Sequence, residues 1–258
     1  MLPLTVIIMA RNEAHRIERC LLALKPLEAD ILVATNQCTD NTAELALAMG
    51  ARVVDLPWQG YAATKNAAHE HARYHWILSL DADEVPNETL CENIIALFQQ
   101  PMSENSVWSI KRRLVIGEQV LYHGSVSNEY RVRLFHRNLA HWNTNAVHED
   151  IISEHPLKPH LLGGWVWHYS FNSFEAHRTK LVQYAQLFAK QYAQKKSSVS
   201  VLKPFSAYWG FIKNYGFRGG FLDGRAGLEL ALNEMHYTRN KYRWANELIT
   251  SGASEFGK

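Results

Sequence analysis

Short apolar runs and segments of helical period alternate through the first hundred residues, and few folds accommodate that pattern. Leu4–Met9 is apolar without a polar alternate face, as in a strand buried on both sides. Ala14–Leu24 follows with Ile17, Leu21 and Leu24 at helical spacing. Ile31–Ala34, Ala51–Asp55 and Trp76–Leu80 read as further strands, and Thr42–Met49, Tyr61–Arg73 and Asn87–Gln99 as further helices. Gly50 stands where a left-handed glycine ends a helix, and Pro101 stops the fourth. This alternation predicts an α/β fold whose parallel sheet is covered by helices on both faces.

After residue 100 the pattern changes. Val107–Ile116, Gln119–Tyr122 and Arg131–Phe135 read as strands with short connections, so the sheet becomes mixed, and Trp165–His168 reads as another strand. Asn172 is placed to cap a helix running to about Lys196, with Glu175 as its capping-box partner. Lys195–Ser200 reads as a linker. A helix over Phe205–Tyr215, a glycine-rich turn over Gly216–Gly227 and a last helix over about Leu228–Tyr242 complete the chain.

Charge is uneven along the sequence. Residues 1–100 hold 7 Lys and Arg against 13 Asp and Glu, whereas residues 195–258 hold 10 against 5. An acidic front half argues against a nucleic-acid partner. Cys20, Cys38 and Cys91 show no paired spacing, so reduced thiols are expected, and Leu4–Met9 is too short for a secretion signal. No apolar run reaches the roughly 18–20 residues that span a bilayer. The expected location is the cytoplasm, with the cytoplasmic face of a membrane as an alternative.

Asp81-Ala82-Asp83-Glu84 directly follows the fourth strand. Alternation puts Asp81 and Asp83 on one face, where two carboxylates repel unless a cation sits between them. Ligands of open α/β sheets bind beyond the carboxyl ends of the strands, so this pair is a candidate for holding a divalent cation on a phosphate-bearing ligand. The competing reading is a solvated acidic turn. Arg11-Asn12-Glu13 follows the first strand at the same edge: Arg11 suits a phosphate, Asn12 and Glu13 suit a ribose or base, and Asn12 alternatively caps the first helix. Asp40 or Asn41 reads as a helix cap, and Lys65 as a cation near that edge or a surface lysine. His148-Glu149-Asp150 forms a second acidic cluster able to take a proton from a hydroxyl. His168, flanked by aromatics, is either a third metal ligand or a core histidine. Neither His69-Glu70-His71 nor His148-Glu149 completes HExxH, and there is no G-x-S-x-G, which disfavours a zinc hydrolase or a serine hydrolase.

The ordered set of strand, Arg-Asn-Glu, strand, Thr-Asp-Asn-Thr, Lys-Asn, Asp-Ala-Asp-Glu and a later acidic motif resembles family-2 glycosyltransferases. Pro57-Trp58-Gln59-Gly60-Tyr61, Leu78–Glu84, Arg131–Phe135, Val147-His148-Glu149, His168-Tyr169-Ser170 and Gly220–Gly224 resemble, more closely, the lipopolysaccharide core β-glucosyltransferases that act on inner-core heptose. The resemblance implies a GT-A (Rossmann-like) fold, a mainly parallel mixed sheet flanked by helices. Residues 1–196 would form the catalytic domain, with 1–100 as the nucleotide-sugar half and 101–196 as the acceptor half. Residues 197–258 would form a C-terminal helical extension. It also implies inverting transfer of a hexose, glucose from UDP-glucose, to a lipid-linked saccharide, with Mg²⁺ or Mn²⁺ as cofactor. Carried over by position, Asp83, Asp81 and His168 are metal ligands. Arg11, Asn12, Glu13, Thr35, Lys65, Asp81 and Ala82 meet the donor, and Glu149, with Asp150 behind it, is the general base. The family's aspartate after the second strand is Thr35 here. A nucleotidyltransferase and an inactive carbohydrate-binding protein are the alternatives. The tail interleaves Tyr208, Trp209, Phe211, Tyr215, Phe217 and Phe221 with Lys213, Arg218 and Arg225, which suits either a peripheral membrane surface or a packed helical hairpin.

Overall fold

The structure is a computed structural model that describes residues 1–143, 150–200 and 202–251. Its elements, in chain order, are β1 (Leu4–Ala10), α1 (Ala14–Leu24), β2 (Asp30–Thr35), α2 (Thr42–Ala48), β3 (Arg52–Asp55), α3 (Tyr61–Glu70), β4 (Trp76–Asp81), β5 (Glu84–Pro86), α4 (Glu88–Leu97), β6 (Ser106–Ile116), β7 (Gln119–Val120), β8 (Tyr130–His136), β9 (His141–Trp142), β10 (Ile151–Ile152), β11 (Lys158–Phe171), α5 (Phe174–Lys195), α6 (Ser206–Phe211) and α7 (Gly224–Ser251). Packing divides the chain into two units, Met1–Arg112 with Glu129–His168, and Arg113–Asn128 with Tyr169–Lys258. Within the second unit α5 packs along α7.

The first unit is the expected mixed, mainly parallel α/β sheet. Its strand order is β3-β2-β1-β4-β8-β6-β11-β5, with β1, β2, β3 and β4 parallel and β8 antiparallel to both β4 and β6. Along β1, Leu4, Val6 and Ile8 point to one face, Thr5 and Ile7 to the other, and all are buried. That is why the run shows no polar alternation. Ile7, Leu32, Ala34, Ile77 and Phe135 build the core on one side with Ala68 of α3, while α1 buries Ile17, Cys20, Leu21 and Leu24.

Several local expectations change. Asn12 does not cap α1: it adopts φ +55°, and its Oδ1 accepts from Thr39 N–H at 2.8 Å. The loop before α2 does the capping instead. Asp40 Oδ2 accepts from Ala14 N–H (3.1 Å), Thr42 Oγ1 accepts from Glu13 N–H (2.9 Å), and Asp40 Oδ1 accepts from Thr42 N–H. Asn87, read as helical, is the N-cap of α4. Its Oδ1 accepts from Leu90 N–H and from Trp165 N–H of β11, tying helix to strand. The close passage of β11 explains Gly164, at φ +88°, where a Cβ would fall 2.5 Å from Leu90 N. Glu84–Pro86 forms an edge strand, a place that tolerates proline, so Glu84 is buried rather than part of a solvated acidic turn.

In the second unit, β6 turns through Gly117 to pair with β7, and Leu114, Ile116 and Leu121 pack on Ala226 and Leu230 of α7. The N-cap of α5 is Ser173 rather than Asn172; its Oγ accepts from Ala176 N–H, so Glu175 falls one position short of a capping box. The helix expected over Phe205–Tyr215 is α6 continued by a π-helical turn over Ile212–Phe217. The helix α7 starts earlier and ends later than its sequence pattern suggested. Gly227 belongs to its first turns because a Cβ there would lie 1.9 Å from Gly220 O, so close packing overrides glycine's weak helix propensity.

Candidate active site

The parallel register aligns the carboxyl ends of β1, β2 and β4, pairing Ala10 with Thr35 and Met9 with Asp81. Everything that follows those residues therefore emerges at one edge. A cleft of about 520 Å³ opens there. Met9, Ala10, Arg11, Glu13 and Asn36 line one side; Trp58, Tyr61 and Lys65 come from α3 and the loop before it; Asp81, Ala82, Asp83 and His168 complete it.

Asp81 is held by two cations. Lys65 Nζ lies 3.4 Å from its Oδ1 and Arg133 Nη2 lies 3.1 Å from its Oδ2. Burial pushes the Asp81 carboxyl up, but Lys65, Arg133 and Arg112 outweigh it and hold the group well below the usual carboxylate range. Lys65 is itself buried, not a surface lysine, and its ammonium lies 4.6 Å from the centre of the Trp142 ring. Behind Asp81 lies an ion network that the sequence did not reveal. Glu84, fully buried, meets Arg133 Nη2 and, at 3.0 Å, Arg112 Nε, and its Oε2 accepts from Asp81 N–H. Burial would lower the affinity of Arg133 for its proton, but Glu84 and Asp81 raise it.

Asp83 points elsewhere. Its Oδ2 lies 3.4 Å from His168 Nε2, and Arg112 Nη2 stands 2.7 Å from each ring nitrogen of His168. The antiparallel register of β5 with β11 sets His168 opposite Glu84, and this brings the histidine to the acidic loop. Glu13 faces the same region. Burial raises its carboxyl, Arg16, with Nη1 3.3 Å from Oε2, opposes the rise, and the charge of Asp83 adds to it.

The Asp83 carboxylate and the His168 imidazole converge here, and the charge of Asp83 also reaches the Glu13 carboxylate. Of these groups Asp83 fits a hard divalent cation, with most of the coordination left to phosphate and water, whereas both ring nitrogens of His168 already face Arg112 and would bind a metal only after Arg112 turned away. Asp81 fits less well as a direct ligand because both of its oxygens already face cations. Among the described residues no group of three His, Cys, Asp or Glu side chains is arranged to hold a metal by itself.

Two expected donor contacts lie off the cleft lining. Asn12 turns to Thr39, and Thr35 donates from Oγ1 to Asp55 Oδ1 at 2.9 Å. The neighbouring Asn36 takes the cleft position: its Nδ2 donates to Leu56 O at 2.8 Å, while its buried Oδ1 has no hydrogen-bond partner among the described residues. Trp58 and Tyr61, within the Pro57–Tyr61 motif, form an edge-to-face pair with ring centres 4.7 Å apart in the cleft lining. Glu149 lies outside the described residues. Asp150 is exposed, and its carbonyl accepts from Asn143 N–H at 2.9 Å. Next to Asn143, the backbone of Trp142 is tied to Asn66 of α3 by two hydrogen bonds.

An uncharacterised glycosyltransferase of Rickettsia typhi is 28% identical over 237 residues, covering 86% of this chain and 79% of that protein. The lipopolysaccharide core biosynthesis glycosyltransferase LpsC of Rhizobium meliloti is 28% identical over 159 residues, 59% of this chain and 58% of LpsC. Among solved structures, S. aureus TarS 1–349 aligns over 97% of this chain and 92% of that chain, at 15% identity and a TM-score of 0.49. Glucosyl-3-phosphoglycerate synthase of Mycobacterium tuberculosis, solved with Mn²⁺, UDP and glucosyl-3-phosphoglycerate, aligns over 45% of each chain at 22% identity and a TM-score of 0.37. The family model for glycosyl transferase family 2 matches residues 5–152, which include β1 from its second residue, β2 to β4 and all but one of the cleft residues, and the chain belongs to that family.

Proposed function

We propose that this protein is an inverting, metal-dependent hexosyltransferase, moving glucose from UDP-glucose to a lipid-linked acceptor, the inner-core heptose of lipopolysaccharide or lipooligosaccharide. The observation that carries the reading is the convergence of Asp83 and His168, 3.4 Å apart, on a cleft that also presents Lys65. Similarity to LpsC supports the acceptor class.

Asp83 would hold Mg²⁺ or Mn²⁺, joined by His168 once Arg112 turns away from its ring, and the ion when bound supplies neutralisation of charge on the departing diphosphate. Lys65 and Arg11 add fixed positive charge for the phosphates. Asp81, its oxygens steadied by Lys65 and Arg133, offers an acceptor for ribose hydroxyls rather than a metal bond. Asn36 Oδ1, without a partner among the described residues, is an acceptor for a base N–H. Trp58 and Tyr61 give the base or sugar an aromatic wall, and Ala82, with no bulk, lets the ligand approach the strand end. Glu149 takes the proton of the acceptor hydroxyl as its oxygen bonds to the anomeric carbon, with Asp150 as the alternative base. The bond from that carbon to the diphosphate breaks on the opposite face, the electron pair leaves with UDP, and the configuration inverts.

Donor turnover with and without Mn²⁺ tests this. UDP release from UDP-glucose that chelation stops, increased by heptose-bearing core fragments, is the expected result. Pyrophosphate release from a nucleoside triphosphate would mark a nucleotidyltransferase, and glycan binding without turnover of any donor would mark a carbohydrate-binding protein. Either result overturns the reading. Glu149→Gln is expected to lower turnover while leaving UDP affinity unchanged; the converse, weakened UDP binding with normal turnover, would remove Glu149 from the role of base.

A further inference from the structure

We propose that the face formed by Leu202–Arg225 is a docking surface for an anionic phospholipid bilayer. Phe205, Tyr208, Trp209 and Ile212 recur at i, i+3, i+4 and i+7 across α6 and the turn after it, the spacing of a single helix face. In a helix that belongs to a soluble core this is the face that is buried. Here the reverse holds: Trp209 is 60% exposed and the other three are exposed with it, while Ala207 on the inner side is 1% exposed. The stripe continues into its neighbours. Phe217, 77% exposed, stands 6.1 Å from Trp209 between ring centres, and the exposed Phe221 stands 6.4 Å from Tyr215. Apolar residues scattered singly over a surface are ordinary, but an ordered aromatic stripe facing water marks a site of association.

The charge around the stripe selects the occupant. From Lys195 to Leu222 the chain carries Lys195, Lys196, Lys203, Lys213 and Arg218 and no Asp or Glu. Lys203, Lys213, Arg218 and Arg225 are exposed. The one acid in the turn, Asp223, is withdrawn: its Oδ2 accepts from the N–H groups of Tyr122 and His123, and its Oδ1 meets His123 Nδ1 at 2.7 Å. A second copy docked symmetrically on the same face would oppose these cations to themselves. Trp, Tyr and Phe ringed by Lys and Arg match an interface that is apolar beneath and negative at the headgroups. No helix of the described residues is long and apolar enough to cross a membrane, so the contact is with the surface. The inference concerns this face alone and goes beyond the reaction proposed above; it is tested without donor or acceptor.

Co-sedimentation of the full chain with extruded vesicles provides the test. Vesicles of phosphatidylcholine with phosphatidylglycerol are expected to bind it at least about tenfold better than phosphatidylcholine alone, since several cations act together, and added salt is expected to weaken the binding. Trp209→Ser with Phe217→Ser should lower partitioning on the anionic vesicles by about tenfold or more, and Lys213→Glu with Arg218→Glu should reduce it to the level of the neutral ones. Far-UV circular dichroism should be unchanged in both, as the substituted side chains are exposed. Equal binding to both vesicle types, no binding, or full binding by the Trp209/Phe217 variant would overturn the proposal. So would a concentration-dependent dimer that the same variant dissociates, which would give the face to a second copy.

Discussion

Around the cleft, Lys65, Arg112 and Arg133 are drawn out of water and face carboxylates, those of Asp81, Glu84 and Glu129. On the face from Leu202 to Arg225, Lys203, Lys213, Arg218 and Arg225 remain in water, and the aromatic side chains beside them are exposed as well. The residue types are similar but the energetics differ. A buried ion pair forfeits the hydration of both charges and must recover it through close, saturated contacts, so removing one partner is costly. An exposed cation keeps its hydration and acts through a field that salt screens. The cleft is accordingly a preorganised site, and the aromatic face a surface whose cations stay in water, Arg225 in a solvent-exposed ion pair with Glu229.

The contrast breaks most decisively at Glu84. Glu84→Gln leaves Arg112 and Arg133 without their buried counter-charge and is expected to cost about 3–5 kcal/mol of stability, read by urea unfolding. A loss below about 1 kcal/mol would show that the network is not sustained by that carboxylate. Asp83→Ala comes next. Its side chain packs little, so the expected effect is on turnover, a fall of at least about tenfold, equivalent to roughly 1.4 kcal/mol of barrier, with an unchanged unfolding midpoint. Activity above about a tenth of the original would take Asp83 out of the site.

A smaller effect should appear as a slope with pH. His69, buried in α3 with no partner for Nε2 among the described residues, is pushed down to about 3 by burial, helped by Arg137 and Lys65. Between that value and the ordinary histidine value the unfolded chain binds the proton and the folded chain does not, so stability falls as pH drops through this window, by up to about 1.4 kcal/mol per pH unit from this group. His69→Phe should flatten the slope between pH 6 and pH 4 by about that amount in denaturation midpoints; an unaltered slope would assign the acid sensitivity to the carboxylates instead. The smallest effect belongs to the aromatic face. Trp209→Ser should change stability in water by no more than about 0.5 kcal/mol, because the ring is already solvated. A loss of 2 kcal/mol or more would mean that Trp209 is part of the fold.

Much of this was legible without coordinates. The periods of Leu4–Met9, Ala14–Leu24 and Trp76–Leu80 are local properties, and each became the element expected to within a residue. The meeting of Arg11, Glu13, Lys65, Asp81, Ala82 and Asp83 at one edge follows from a parallel sheet, whose strands all end on the same side. What escaped detection were choices between near-equivalent local options. Asn12 and Asp40 are both good caps, and only the crossing of the two loops decided that Asp40 serves α1. Thr35 and Asn36 are adjacent, and the approach of Asp55 on β3 decided which of them faces the cleft.

The amino-acid sequence by itself determined the parallel half of the sheet, the edge where the site lies and the acidic loop after β4, because periodicity and strand direction are written into neighbouring residues. The tertiary structure alone decided that His168 stands beside Asp83, that Arg133 and Arg112 share Glu84, and that the apolar stripe of α6 faces outward. These are pairings between segments tens of residues apart, and no local preference distinguishes one partner from another until the chain has closed.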